Sequence, residues 1–153
     1  MAGIDVKVTM RGLREAKAGM LVLRKGITQF IGLQIYTYAQ GFLLERIKVN
    51  TPILTGALRE SLYVRGPSVR GTSRATVRIG SDKIYSLRVH EETFNLGPIS
   101  RQQPGQPEGG VGNKYITRVV TYHREDMRKL LGARVKQEIR KLYASGAVRG
   151  LRR

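Results

Sequence analysis

Asn50-Thr51-Pro52-Ile53-Leu54-Thr55-Gly56-Ala57-Leu58-Arg59-Glu60-Ser61-Leu62 decides how this chain folds. A long apolar-periodic segment precedes it and reads as a helix. Proline cannot sit in a helix interior, and it pushes the residue before it towards extended geometry. Thr51-Pro52 therefore predicts a helix stop. Thr55-Gly56 predicts a turn, because glycine accepts backbone angles that other residues resist. Leu58 and Leu62 point back into a core, while Arg59 and Glu60 are expected to stay in water. Pro52, Thr55, Gly56 and Leu58 thus mark a fixed hinge between a helix and a sheet.

Upstream of the hinge, Ile27, Ile31, Ile35, Tyr38 and Phe42 recur at helical spacing, and Ile47 and Val49 extend the apolar character. This predicts a helix over 27–49. Gly32 and Gly41 each cost roughly 1 kcal/mol against alanine in a helix interior, so close packing against another element, or another subunit, is expected there. Leu13, Ala16, Met20 and Leu23 predict a separate helix over 12–25, interrupted by Gly26. Residues 5–10 alternate as a short strand.

Downstream, residues 61–65 start a strand that Gly66-Pro67 and Gly71 break. Arg74 to Ile79 alternates cleanly, with Ala75, Val77 and Ile79 inward and Arg74, Thr76 and Arg78 outward. Tyr85, Leu87 and Val89 follow the same rule and predict a strand. So does the stretch from Tyr115 to Thr121. Thr121 suits an N-cap, with Glu125 and Asp126 in the first turn of a final helix. Met127, Leu131, Val135, Ile139 and Leu142 give that helix one apolar stripe. It is expected to fade near Ser145-Gly146, leaving 145–153 as a basic, frayed tail. The expected class is α+β: a small antiparallel sheet against a long helix and a C-terminal helix, in one domain over 1–144.

Between these elements, residues 93–113 hold five glycines and three prolines in 21 positions. Loops this long are uncommon in compact domains. The segment reads either as a surface loop or as an arm that orders against a neighbouring subunit. Its deletion from Phe94 to Gly112 is expected to leave the monomer folded and to impair assembly.

The 153 residues suffice for one domain with a real core. No cysteine is present, which excludes disulfides and thiolate metal sites. The start of the chain lacks the basic and apolar runs of a signal peptide. Residues 27–44 are apolar, but glutamines, threonines and glycines interrupt them, so a core helix is expected rather than a membrane span. Net charge is +17, divided as +5 over residues 1–50, +3 over 51–113 and +9 over 114–153. A field so concentrated at one end favours nucleic acid, an anionic surface or an acidic protein.

The residues offer little for catalysis. His90-Glu91-Glu92 is the one compact titratable cluster, and His123 falls near a helix start. Adjacent strand residues point to opposite faces, so His90 and Glu91 would not share a target. A structural role is expected, with no catalytic residue, metal site or cofactor. No phosphate-binding loop, dinucleotide glycine pattern or zinc-binding HExxH is present. Arg65, Arg74, Arg78 and Arg88 are expected on a sheet face. Arg124, Arg128, Lys129, Arg134, Lys136, Arg140 and Lys141 cover the last helix and are candidate contacts to a neighbouring subunit or to DNA. Backbone contact without sequence reading is the form expected.

Two segments carry a family resemblance. The first is the hinge, from Asn50 to Leu62. The second is Tyr85-Ser86-Leu87-Arg88-Val89-His90-Glu91-Glu92-Thr93. In this order, with the strand end Ile79-Gly80 between them, they resemble the tail-completion, or neck, proteins of tailed bacteriophages. That family pairs a P-x-x-T-G-x-L-R-x-S turn with a Y-A-x-x-V-H-E-G-T-like segment. Tyr85, Val89, His90 and Glu91 match the second pattern. Ser86 stands for its alanine and Glu92 for its glycine. The resemblance spans roughly residues 5–143. It implies a non-enzymatic virion protein, made in the host cytoplasm. Such a protein forms a sixfold or twelvefold ring of its own copies, joins portal or adaptor proteins to tail proteins, and surrounds the DNA passage. The alternative is a nucleic-acid-binding protein without sequence preference. No membrane role is implied.

Overall fold

The computed structural model describes residues 13–71, 73–93, 95–103 and 106–144. The strand expected over 5–10 and the tail 145–153 lie outside the described residues. The α+β class holds. Two strands form an antiparallel pair, with a long helix and a C-terminal helix.

Helix α1 runs Leu13–Tyr38 without a break at Gly26. Gly26 is exposed there, and nothing lies within 4 Å of where a Cβ would sit. Its cost is one of propensity alone, too small to split a 26-residue helix. A π turn, Ala39–Leu43, joins α1 to α2, Leu44–Asn50. Among the described residues no helix is long and apolar enough to cross a membrane.

The apolar stripe expected on this helix is displaced. Ile27, Ile31, Ile35 and Tyr38 are half-buried, and Phe42 is exposed. The buried line is Thr28, Ala39, Leu43, Ile47 and Thr51. Gly32 lies on the same side, where a Cβ would come 2.9 Å from the Ala75 Cβ and 3.1 Å from the Pro67 Cβ. Close packing at Gly32 is therefore real, and its partner is the sheet. Gly41 has open space around it instead.

The helix stops where the sequence predicts. Thr51 is extended, with φ −80° and ψ 131°, and Gly56 takes φ +82° at the turn. A one-turn helix, α3, Ala57–Glu60, follows and buries Leu58. Strand β1, Leu62–Arg70, then pairs with β2, Arg74–Ser81. Gly66-Pro67 does not end β1. The register slips between Arg65 and Ser68, a bulge that the strand survives. Gly66 has φ +123° within it, and a Cβ there would meet the Thr76 carbonyl oxygen at 2.9 Å. The inward face of β2 is as expected, with Ala75, Val77 and Ile79 half-buried and Arg74, Thr76 and Arg78 exposed.

Two expected strands are helices. Tyr85 caps α4, Ser86–Glu91, and α6 spans Tyr115–Tyr122. A short helix, α5, Pro98–Arg101, and the 21-residue C-terminal helix α7, Arg124–Ala144, complete the order. Alternation and helical spacing coincide over such short windows. Tyr115 and Val119, four apart, are both fully buried on one face of α6. Thr121 is thus inside a helix rather than an N-cap, while Glu125 and Asp126 do fall in the first turn of α7.

The core gathers where α2, the hinge, β1 and α6 meet. It contains Ala39, Leu43, Leu44, Ile47, Leu58, Leu62, Val64, Tyr115 and Val119. On α7, Met127, Leu131, Val135, Ile139 and Leu142 are only half-buried, and no residue of that helix is fully buried. The stripe is therefore correctly placed but only partly covered, by α1.

Candidate functional site

The hinge residues and the Tyr85 segment face each other across an open groove of about 310 Å³. Pro52, Leu54 and Gly56 of the hinge line it together with Tyr85, Val89 and Leu96. Leu58 forms the buried floor. More than 25 residues separate the two segments in sequence, and the fold brings them together.

Three devices hold the hinge still. Thr51 Oγ1 donates to the Ile47 carbonyl at 2.7 Å, closing the last turn of α2. The Arg59 guanidinium donates to the Thr51 carbonyl at 2.9 and 3.0 Å, and to the Val49 carbonyl at 3.1 Å. It also donates to Gln103 Oε1. A cation at a helix C-terminus meets carbonyls that have no partner inside the helix. Arg59, expected in water, is thus the cap of α2, and burial lowers its pKa from the ordinary value. Glu60 is exposed as expected. Finally, buried Ser100 Oγ accepts from the Ile53 amide at 2.9 Å and donates to the Ile53 carbonyl at 3.0 Å. That pair fastens α5 to the hinge.

The groove is rimmed by apolar side chains in water. Of the lining side chains, Leu54 is 87% exposed and Tyr85 45%, whereas Leu87, 69% exposed, lies on α4 outside the lining. Ile84 and Ile99 are also exposed on the adjoining segments. Patches of this kind mark interaction sites more often than chance placement does.

His90 and Glu91 do share a neighbourhood, against the strand-based expectation. In α4 their side chains touch, with His90 Nδ1 2.7 Å from Glu91 Oε1. The His90 ring also packs edge-on against Tyr115, and its carbonyl accepts from the Lys114 amide. Lys114 Nζ lies 3.4 Å from Glu91 Oε2. The hydrogen bond from His90 and the Lys114 charge hold the Glu91 carboxyl below its usual range. These contacts tie α4 to the start of α6. Burial, with a smaller effect from Tyr85, pushes the Tyr115 hydroxyl up to about 12. Among the described residues, no three histidine, aspartate or glutamate side chains are placed to hold a metal ion.

One buried cluster gave no sequence signal. Glu108, in the glycine- and proline-rich segment, has no exposed side-chain surface. Its Oε1 accepts from Arg46 at 2.7 Å and lies 2.8 Å from His123 Nε2. Burial alone would raise this carboxyl. The contacts from His123, its own backbone and Arg46 more than offset that and hold it low. Arg118 adds donors to the Gly109 and Gly110 carbonyls at 2.7 and 3.0 Å. The described residues of 93–113 are thus fastened to α2, the hinge, α6 and His123. Deleting 94–112 would strip buried partners from Arg46, Arg59 and His123, so point substitutions replace deletion as the test of this segment.

The basic residues of α7 separate into classes. All seven named above are exposed. Arg128 pairs with Glu125 at 3.1 Å, Lys141 with Glu138 at 3.8 Å, and Arg134 donates to Gln34. Arg124, Lys129, Lys136 and Arg140 have no carboxylate within 4 Å among the described residues. Arg88 is on α4, paired with Glu92 at 2.8 Å, and not on the sheet. Comparison of the chain with protein-family models, curated proteins and solved structures returns no match.

Proposed function

We propose that this protein is a structural subunit of a phage neck, forming a ring that joins the portal or adaptor side of the head to the tail. The observation that carries this reading is the convergence of the two motif segments on one rigid, apolar-rimmed groove. A closed ring needs a heterologous interface, in which one surface meets a different surface of the next copy. Exposed Leu54 and Tyr85 supply apolar area for one side of it. The half-covered stripe of α7 supplies a second, separate face. The role requires neither a catalytic residue nor a cofactor.

The test is a Leu54→Asp, Tyr85→Asp double variant, both positions lining the groove. Both side chains are exposed, so the monomer is expected to fold as wild type by circular dichroism. Ring formation, alone or with connector proteins, is expected to fail by mass photometry and electron microscopy. Rings of normal abundance would remove the groove from the interface.

A second reading is a nucleic-acid-binding protein without sequence preference. The net charge of +17 and the basic residues of α7 that meet no carboxylate among the described residues favour it. A steep salt dependence of DNA binding without any ring would select it.

A further inference from the structure

The exposed face of the β1–β2 hairpin is built from like charges set opposite one another. Arg65 pairs across the strands with Arg78, Ser68 with Thr76, and Arg70 with Arg74. Residues directly opposite in an antiparallel pair share a face. All six are exposed. The face is therefore a ladder of two arginine rungs with a hydroxyl rung between them. Like charges directly opposite destabilise a strand pair. The chain places them so twice in this hairpin.

Little among the described residues relieves this. Of these arginines, Arg65 alone is compensated there, by Asp82 at 3.0 Å and by the Tyr63 ring at 3.9 Å. Arg70, Arg74 and Arg78 have no carboxylate within 4 Å among the described residues. Lys25, which borders the hairpin end beside Val69 and Gly71, adds to the same field. An external anion would relieve the repulsion that the sheet leaves standing.

We infer that this ladder is a phosphodiester-binding track that lies against the backbone of DNA. Four residues separate the rungs along β2, or about 14 Å at ~3.4 Å per residue. That is the axial rise of about four nucleotides on one strand. Arginine's planar fork matches phosphate oxygens with paired donors, and all four charged positions are arginine. Ser68 and Thr76 add hydroxyl donors between the rungs. The ladder positions carry no apolar side chain, whereas the centre of a protein interface is depleted of charge and rich in apolar groups. An acidic protein is therefore the poorer fit. Phosphate contacts carry no base information, so the track would hold any sequence equally.

The inference deepens the neck reading by naming a DNA-facing surface, and it rests on that reading only for where DNA is met. It assigns the contact to the hairpin, whereas the net charge is concentrated in the C-terminal quarter. The test is a salt titration of wild-type protein against a short mixed-sequence duplex, between about 50 and 200 mM. An Arg70→Gln, Arg74→Gln, Arg78→Gln variant is compared with a Lys129→Gln, Lys136→Gln, Arg140→Gln variant. The hairpin variant is expected to bind more weakly, with the slope of log K against log salt shallower by about 2.7. Its thermal midpoint is expected to match or exceed wild type, which keeps unfolding from mimicking the result. An unchanged slope overturns the proposal, as does a loss confined to the α7 variant. Ring formation is read in parallel: rings without DNA binding sink the track and spare the neck reading, and DNA binding without rings does the reverse.

Discussion

Glu108 Oε1 lies 2.8 Å from His123 Nε2, fifteen residues away in sequence, with the carboxylate wholly enclosed. Arg46 completes the contact from α2, sixty-two residues from Glu108. One side chain thus fastens the glycine- and proline-rich segment to two helices. Glu108→Gln keeps the shape and removes the charge. It is expected to cost about 1–3 kcal/mol, because Arg46 and His123 lose an ionised acceptor. Urea unfolding at neutral pH measures it.

The same carboxylate sets an acid dependence. Its folded pKa lies below its unfolded one. Its contribution to stability is therefore complete above the ordinary glutamate value of about 4.3. That contribution is lost as pH falls through the folded value. Glu91, also held low, acts in the same sense but is exposed and screened by solvent. Midpoints measured from pH 7 down to pH 3 are expected to fall less steeply in Glu108→Gln than in wild type. Parallel curves would show that the cluster does not govern acid stability.

Arg59→Ala is expected to destabilise by about 1–3 kcal/mol, since it leaves the Val49 and Thr51 carbonyls without their charged donor. Arg59→Lys should recover only part, because a single ammonium cannot reproduce the guanidinium fork. Full recovery by lysine, in thermal melts of the three proteins, would reduce the interaction to charge alone.

Two glycines on α1 should respond with opposite signs. Gly26→Ala adds a methyl group in open space and is expected to stabilise by up to about 1 kcal/mol. Gly32→Ala drives a Cβ into Ala75 and Pro67 and is expected to destabilise by about 1–3 kcal/mol. Equal shifts in denaturant midpoint would contradict the close approach of helix and sheet.

Relieving one arginine rung should strengthen the hairpin. Arg74→Thr replaces a like-charge pair with a β-branched residue opposite Arg70, and a gain of roughly 0.2–1 kcal/mol is expected at low salt. The gain should shrink in high salt as repulsion is screened. A loss of stability at all salt concentrations would mean that the rung holds the strands together.

Local grammar made part of this structure legible. Thr51-Pro52 announced the end of α2, and strict alternation from Arg74 to Ile79 announced β2. The same alternation misled at Tyr85–Val89 and Tyr115–Thr121. There the helices are too short for period alone to separate from strands. Tyr85 and Val89, and Tyr115 and Val119, stand four apart, which was the available helical signal. Arg59 was misplaced because a charged residue after a turn normally faces water, and its carbonyl partners exist only once α2 has stopped beside it. Glu108 was not legible at all, since its partners come from distant parts of the chain. The groove was half legible: its two segments were recognisable, but their meeting is a product of the fold.

The π turn at Ala39–Leu43 has a consequence at the hinge. Ala39, Leu43, Ile47 and Thr51 are buried at intervals of four. A regular helix of 3.6 residues per turn would carry such a line progressively around its axis, by about 40° at each step. Winding one surplus residue into a single turn takes back much of that drift. The direction in which Pro52 and Leu54 leave the helix is thus set about ten residues upstream. Removing one residue between Ala39 and Leu43 would leave every hinge residue in place in the sequence. It would also swing them about 100° around the helix axis, with Leu54 aimed at a different neighbour.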